Sequence, residues 1–165
     1  MTYLITFACY GCHVRGDEPG AVDTEHNLPG SRLIEPNPKR ASAERHQMDQ
    51  SAYGLDSIRR EVVLASLLER CSERHWTLLA AHVRTNHVHI VLEAEAPPER
   101  LMNDLKSYAS RRLNQAGFDG PARKRWARHG STRWLWKWEN VSAAIRYVVD
   151  KQGDPMAVFE AIDPG

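Results

Sequence analysis

Two short apolar runs, WTLLAAHV from Trp76 to Val83 and HVHIVLE from His87 to Glu93, are separated by only Arg84-Thr85-Asn86. A link of three residues joins antiparallel neighbours, whereas a parallel pair needs a crossover of a dozen residues or more. This stretch therefore predicts a hairpin at the centre of an antiparallel sheet. On its N-terminal side, Ile58, Val62, Leu64, Ala65 and Leu68 recur at helical spacing from Ser57 to about Glu73. On its C-terminal side, Pro97 and Pro98 open a second helix with Leu101, Leu105, Tyr108, Ala109 and Leu113 facing inward, ending near Gly117.

Outer strands complete the pattern. YLITFACY, Tyr3–Tyr10, is β-branched and aromatic, and RWLWKW, Arg133–Trp138, alternates large apolar residues with others. Gly120–Gly130 reads as a basic loop, and Asn140 as the cap of a last helix running to Gln152, stopped by Gly153 and Pro155. The order is β-α-β-β-α-β, an α+β, ferredoxin-like antiparallel sheet with helices on one face, followed by a C-terminal helix. At 165 residues the chain is read as a single domain, 1–165. Prolines and glycines between Gly16 and Leu55 (among them Pro19, Gly20, Pro29, Gly30, Pro36, Pro38) mark a loop-rich insert, within which Lys39–Met48 is a candidate short helix.

No apolar run is long enough to span a bilayer, which excludes a helical membrane protein. The opening MTYLITFACYGCHVRGDE lacks the basic start of a secretory signal, so the expected location is the cytoplasm. Three cysteines, odd in number and dispersed, argue against a disulfide framework. CYGCH, Cys9–His13, matches the short pattern for covalent haem, but without an export signal that reading is set aside. Cys9 and Cys12 could join His87 and His89 in a zinc site, although histidine half-sites usually space their ligands as on a helix. The plainer expectation is that Cys9 is a small buried hydrophobe.

His87 and His89 are one residue apart in a strand, so their imidazoles project from the same face while Val88, Ile90 and Leu92 line the other. Lone strand histidines are usually hydrogen-bonded structural residues, so the pair alone only suggests a metal site. Charge is also uneven. The formal net charge is +1, yet Arg100–Lys137 carries ten Lys or Arg against only Asp104 and Asp119. That block suits a phosphate backbone, although a solvated basic face is the bland alternative.

Taken together, these segments resemble the single-tyrosine HUH (His-hydrophobe-His) endonucleases, specifically transposases of the insertion-sequence-200 kind and the REP-associated tyrosine transposases. NHVHIVL resembles the family's histidine strand, MNDLKSYASRRLN (Met102–Asn114) its basic helix, and AIRYVVDKQGDPM (Ala144–Met156) its tyrosine helix. The insert has no counterpart. The resemblance implies a metal-dependent single-stranded DNA endonuclease and strand transferase. His87 and His89 would hold a divalent metal, Mg²⁺ or Mn²⁺, and Tyr147 would attack to give a 5′-phosphotyrosine. Tyr108 is read instead as a packing aromatic.

The family's third ligand is typically an amide four residues after the tyrosine. Here that position is Lys151, so Asp150 and Gln152 are the candidates, and Lys151 is assigned to phosphate. DNA contacts are expected from Lys106, Arg111, Arg112, Arg123, Lys124, Arg125, Trp126, Arg128, Arg133 and Lys151. Trp126, in the loop, is the expected base-stacker, whereas at least two of Trp134, Trp136 and Trp138 are expected in the core. Single-stranded or hairpin DNA is the implied partner, and a homodimer exchanging the tyrosine helix is one arrangement the resemblance allows. Alternatives are a domesticated hairpin-binding relative with weakened chemistry, or a zinc-dependent hydrolase on the same histidines.

Overall fold

The computed structural model describes residues 1–12 and 49–162. The insert's Gly16–Met48 portion, its candidate helix at Lys39–Met48, and His13 of the CYGCH pattern lie outside the described residues. Strand β1 is Thr2–Cys9, and helix α1 is Ser57–Arg74. The hairpin is β2, Thr77–Val83, and β3, His87–Glu93, joined by the expected three residues. Then come helix α2, Pro98–Gln115, strand β4, Trp126–Leu135, helix α3, Trp138–Asp150, and strand β5, Ala157–Glu160.

All strand pairings are antiparallel, in the order β4-β1-β3-β2-β5. The β-α-β-β-α-β expectation is met, and β5 is a strand that the sequence did not announce. It follows the Gly153 and Pro155 break, and its four residues complete the sheet edge beside β2. The histidine strand β3 is held between β1 and β2, so its backbone is fixed on both sides.

Each sheet face has its own core. Tyr3, Ile5, Phe7, Val88, Ile90 and Leu92 pack beneath α1 and α2, whereas Leu4, Ala80, Val91 and Leu135 pack beneath Val141, Ala144 and Val148 of α3. Alternation in β1 and β3 produces this division. The two ferredoxin-like helices share one face as expected, and α3, the expected C-terminal helix, forms a second layer on the opposite side.

Local signals explain most boundaries. Asp56 caps α1 by accepting from the Arg59 amide at 2.9 Å, and His75 ends it in the left-handed region at φ 58°. The buried line of α1 is Val63, Leu67 and Cys71, one residue off the expected stripe, and Ile58 is 60% exposed. Apolar residues at 62, 63, 64, 67 and 68 make the stripe broad, so spacing alone does not fix its centre. α2 matches its expected inner face in full, with Leu101, Leu105, Tyr108, Ala109 and Leu113 all buried.

The segment after α2 differs most from expectation. β4 begins at Trp126 and absorbs half of the expected basic loop. It needs Gly130, because a Cβ there would lie 2.5 Å from Met102 Sδ and 2.6 Å from the Thr6 carbonyl oxygen. RWLWKW divides: Leu135 ends β4, and Trp138 rather than Asn140 opens α3. Instead of entering the core, Trp134, Trp136 and Trp138 are 43%, 72% and 67% exposed. β4 is an edge strand that ends at Leu135, so the two later tryptophans have no sheet neighbour to cover them.

Candidate active site on the face covered by α3

The register brings Thr6, His89 and His82 into one row across β1, β3 and β2, with His87 opposite Ala8 in the next row. All point toward the α3 layer. The His87 and His89 rings stack with centroids 5.9 Å apart and planes within 5°. Tyr147, on α3, meets His89 edge-on at 6.0 Å. A single chain thus brings its own tyrosine to its own histidine pair.

Neighbouring groups set the imidazole tautomers. Asn86 Oδ1 can only accept, so the 2.7 Å contact with His87 requires a proton on Nδ1 and puts that ring's lone pair on Nε2. His89 Nδ1 lies 3.1 Å from the Thr6 hydroxyl, which holds that ring in place. Burial pushes His89 down to about 4, helped by the nearby His82 and Arg84, so the imidazole is neutral at physiological pH. A neutral imidazole with a fixed ring plane is what a divalent cation requires of its ligand. Asn86 and Thr6 are the orienting partners. Asn86 was legible in the turn before the strand; Thr6 was not, because only the β1–β3 register selects it.

His82 also went unnoticed in sequence. It is fully buried, and the Met156 amide donates to its Nε2 at 3.1 Å. Nδ1 must then carry the proton, which it donates to the Val148 carbonyl at 2.9 Å. His82 therefore ties the helix residue next to Tyr147 to the sheet. Its alternation with Ala80 on β2 was the available signal.

The third-ligand candidates divide. Asp150 is exposed at the last turn of α3, and among the described residues no three of His, Cys, Asp and Glu gather to hold a metal. Gln152 is half-buried, its amide nitrogen donating to the Tyr147 carbonyl at 3.0 Å, which turns it back along the helix end. Lys151 is the exposed C-cap. The donor set fits a divalent cation through His87 and His89. Cys9 lies on the opposite sheet face, fully buried, its thiol pushed up to about 12. It is the small hydrophobe expected, and the four-residue zinc site is not formed.

The basic residues separate just as sharply. Arg133 lines a cavity of about 80 Å³ with Tyr147, Asn140, Leu4, Leu135 and Ala144. Arg128 is exposed on β4. Lys106 is buried, its ammonium donating to the Ala127 and His129 carbonyls at 3.0 and 3.2 Å. Arg125 is buried too, donating to Asn114 and Phe118 at 2.7 and 2.8 Å. Both serve the fold, correcting their assignment as DNA contacts. Trp126 is likewise corrected: it packs edge-on to Phe7 at 5.1 Å and donates from Nε1 to the Lys106 carbonyl at 2.9 Å.

Arg123 is engaged by Gln50, and Lys124 by Asp49. Arg112 binds Glu69 and the Tyr108 hydroxyl, and Arg111 lies over the Tyr108 ring at 5.3 Å. Arg111 and Arg112 belong to the α1–α2 layer, across the sheet from Tyr147. Tyr108 is buried there, as expected of a packing aromatic.

Residues 53–137, just over half of the chain, match the family described as "Transposase IS200 like". The chain belongs to the IS200-like transposase family. The matched region contains both histidines and ends just before α3, so Tyr147 rests on the geometry above. One solved structure, described as a REP-associated tyrosine transposase bound to a REP hairpin, aligns at a TM-score of 0.49 with 9% identity. It covers 91% of this chain, which spans 65% of that one. No curated protein matches. Among the described residues no helix is long and apolar enough to cross a membrane.

Proposed function

We propose that this IS200-like transposase nicks and rejoins single-stranded DNA through Tyr147. The observation that carries the reading is the edge-on approach of Tyr147 to His89, within a stacked histidine pair. The Tyr147 oxygen attacks the scissile phosphorus. A P–O bond to tyrosine forms, the bond to the 3′ oxygen breaks, and that oxygen leaves as a 3′-OH after taking up a proton. The phosphodiester energy stays in the phosphotyrosine, so a 3′-OH can reverse the step without a nucleotide cofactor.

His87 and His89 would hold the divalent cation, Mg²⁺ or Mn²⁺, with Asp150 or Gln152 as the third ligand. When bound, such a cation supplies charge neutralisation at the phosphate. Arg133 does the same from the cavity beside Tyr147, as a guanidinium that matches phosphate geometry. Asn86 and Thr6 keep the imidazoles aimed, and His82 holds α3 at its working height. Arg128 and Lys151 are exposed cations available to the flanking backbone. Single-stranded or hairpin DNA is the partner in this reading, handled by one chain or by two.

The test uses single-stranded oligonucleotides from the DNA flanking the gene, with Mn²⁺. Wild type should give a protein–DNA adduct stable to denaturing electrophoresis, and an upstream fragment that a polymerase extends. Tyr147→Phe should give neither, whereas Tyr108→Phe should keep both. A second reading, a DNA-hairpin binder with lost chemistry, is favoured by Lys151 one turn after Tyr147 and by the exposure of Asp150. Binding with no adduct in any metal would establish it.

A further inference from the structure

Three indoles, at least two of which sequence patterning sends to the core, stand instead in solvent at the junction of β4 and α3. Trp134 is anchored edge-on against Tyr3 at 5.4 Å, and Trp136 leans over it with centroids 4.9 Å apart and planes 33° apart. Trp138 follows as the first residue of α3. We propose that Trp136 and Trp138, supported by Trp134, form a stacking platform for unpaired bases of single-stranded DNA beside the scissile phosphate.

The placement argues for this occupant. Leu135, between Trp134 and Trp136 in sequence, and Asn140, two residues beyond Trp138 on α3, line the cavity that also holds Tyr147 and Arg133. The cavity and the indoles thus share the β4–α3 edge of the sheet, and a strand held at Tyr147 reaches the rings by passing over that edge. Arg133 and Lys137 interleave with the rings, and Glu139 is the adjacent acid on α3. The acids nearer Tyr3 are engaged: Glu95 by the N-terminal ammonium at 3.2 Å, and Glu99 by the Thr132 hydroxyl at 3.1 Å. Unpaired bases offer an open π-face, whereas paired bases in a duplex are covered on both sides, so the platform selects for single strands. The rings themselves need no base identity.

The inference rests on Tyr147 marking the DNA-handling face, and its test separates the two. Binding of the full chain to a dT15 oligonucleotide is followed without metal, by intrinsic fluorescence quenching and by titration across salt concentrations. Trp136→Ala and Trp138→Ala should each weaken dT15 about tenfold, with the salt slope unchanged because no phosphate contact is lost. Trp136→Phe should recover most of the affinity, and a dT15·dA15 duplex should respond to none of these changes. Both positions are exposed, so thermal melts of the variants should match wild type.

Equal dT15 affinity in the double alanine variant would overturn the platform, even if the Tyr147 adduct forms normally. Failure of the wild type to form the adduct, with dT15 binding still sensitive to Trp136 and Trp138, would sink the nuclease reading alone. A dimer in sedimentation that the two alanines dissolve, with dT15 affinity unaffected, would assign the patch to a second copy and overturn the inference.

Discussion

Replacing His82 with Leu keeps much of the buried volume and removes both ring nitrogens. The Val148 carbonyl, 2.9 Å from Nδ1, and the Met156 amide, 3.1 Å from Nε2, both lose their partner. A buried backbone group left unsatisfied costs about 1–3 kcal/mol. Met156 is 38% exposed, so water can partly replace its bond. The expected total is therefore about 2–4 kcal/mol, which a domain of ordinary stability survives. Urea unfolding measures it.

The functional effect should exceed the stability effect. Val148 adjoins Tyr147, so an α3 released from β2 no longer holds the tyrosine against His89. Under conditions where both proteins are folded, the phosphotyrosine adduct should form at least tenfold more slowly in His82→Leu. The pH response carries a sign. Burial lowers the His82 pKa from its ordinary 6.5, with Arg84 adding to it. The unfolded chain therefore binds a proton that the folded chain refuses, and the stability present above about pH 6.5 is lost as pH falls toward the folded value. In chelator-treated protein His82→Leu should show a shallower acid loss than wild type, because the contribution of His82 is gone while that of His89 remains. Unchanged urea midpoints together with wild-type adduct rates would refute the tether.

Thr6→Val removes the hydroxyl that holds His89 Nδ1 while keeping the shape of the side chain. It should raise the Mn²⁺ concentration for half-maximal adduct formation roughly 10- to 100-fold, the usual cost of losing a partner that orients a ligand; an unchanged Mn²⁺ requirement would remove Thr6 from the site. Lys106, buried against the β4 carbonyls, is pushed down to about 8 from 10.5. Between those values only the unfolded chain keeps the proton, so raising pH favours the fold. Relative to Lys106→Met, wild type should gain up to about 3 kcal/mol between pH 7.5 and 10 in denaturant titrations; a flat difference would show that the amine keeps its proton.

Periodicity was sufficient where one apolar pattern had one interpretation. The three-residue link fixed the hairpin, and the alternation around His87 and His89 fixed which face they share. α2 was legible residue by residue because its apolar stripe is narrow. The stripe of α1 is broad, so packing rather than spacing set its centre at Val63 and Leu67. Lys106 and Arg125 looked like surface cations because charge does not report burial: each donates to backbone or amide oxygens that only the folded chain assembles. The same blindness hid Thr6 and His82, whose meaning is a register across three strands.

RWLWKW shows why pattern can mislead at an edge. Alternating tryptophans ordinarily mean a half-buried strand, and for Trp134 the pattern is partly right, since Tyr3 covers one edge of its ring. Burial needs a neighbouring layer as well as alternation. β4 is the outermost strand, the sheet stops at Leu135, and α3 begins at Trp138 with its apolar face, Val141, Ala144 and Val148, already turned to the other side. Among the described residues no element covers Trp136 and Trp138. Exposed indoles are costly to keep in water and are depleted on ordinary surfaces. Their position one residue either side of a basic link, against the wall of the Tyr147 cavity, makes a ligand with flat apolar faces and a negative backbone the economical occupant. The histidine face and the tryptophan edge are then two parts of one strand-handling surface, divided by the single turn from β4 into α3.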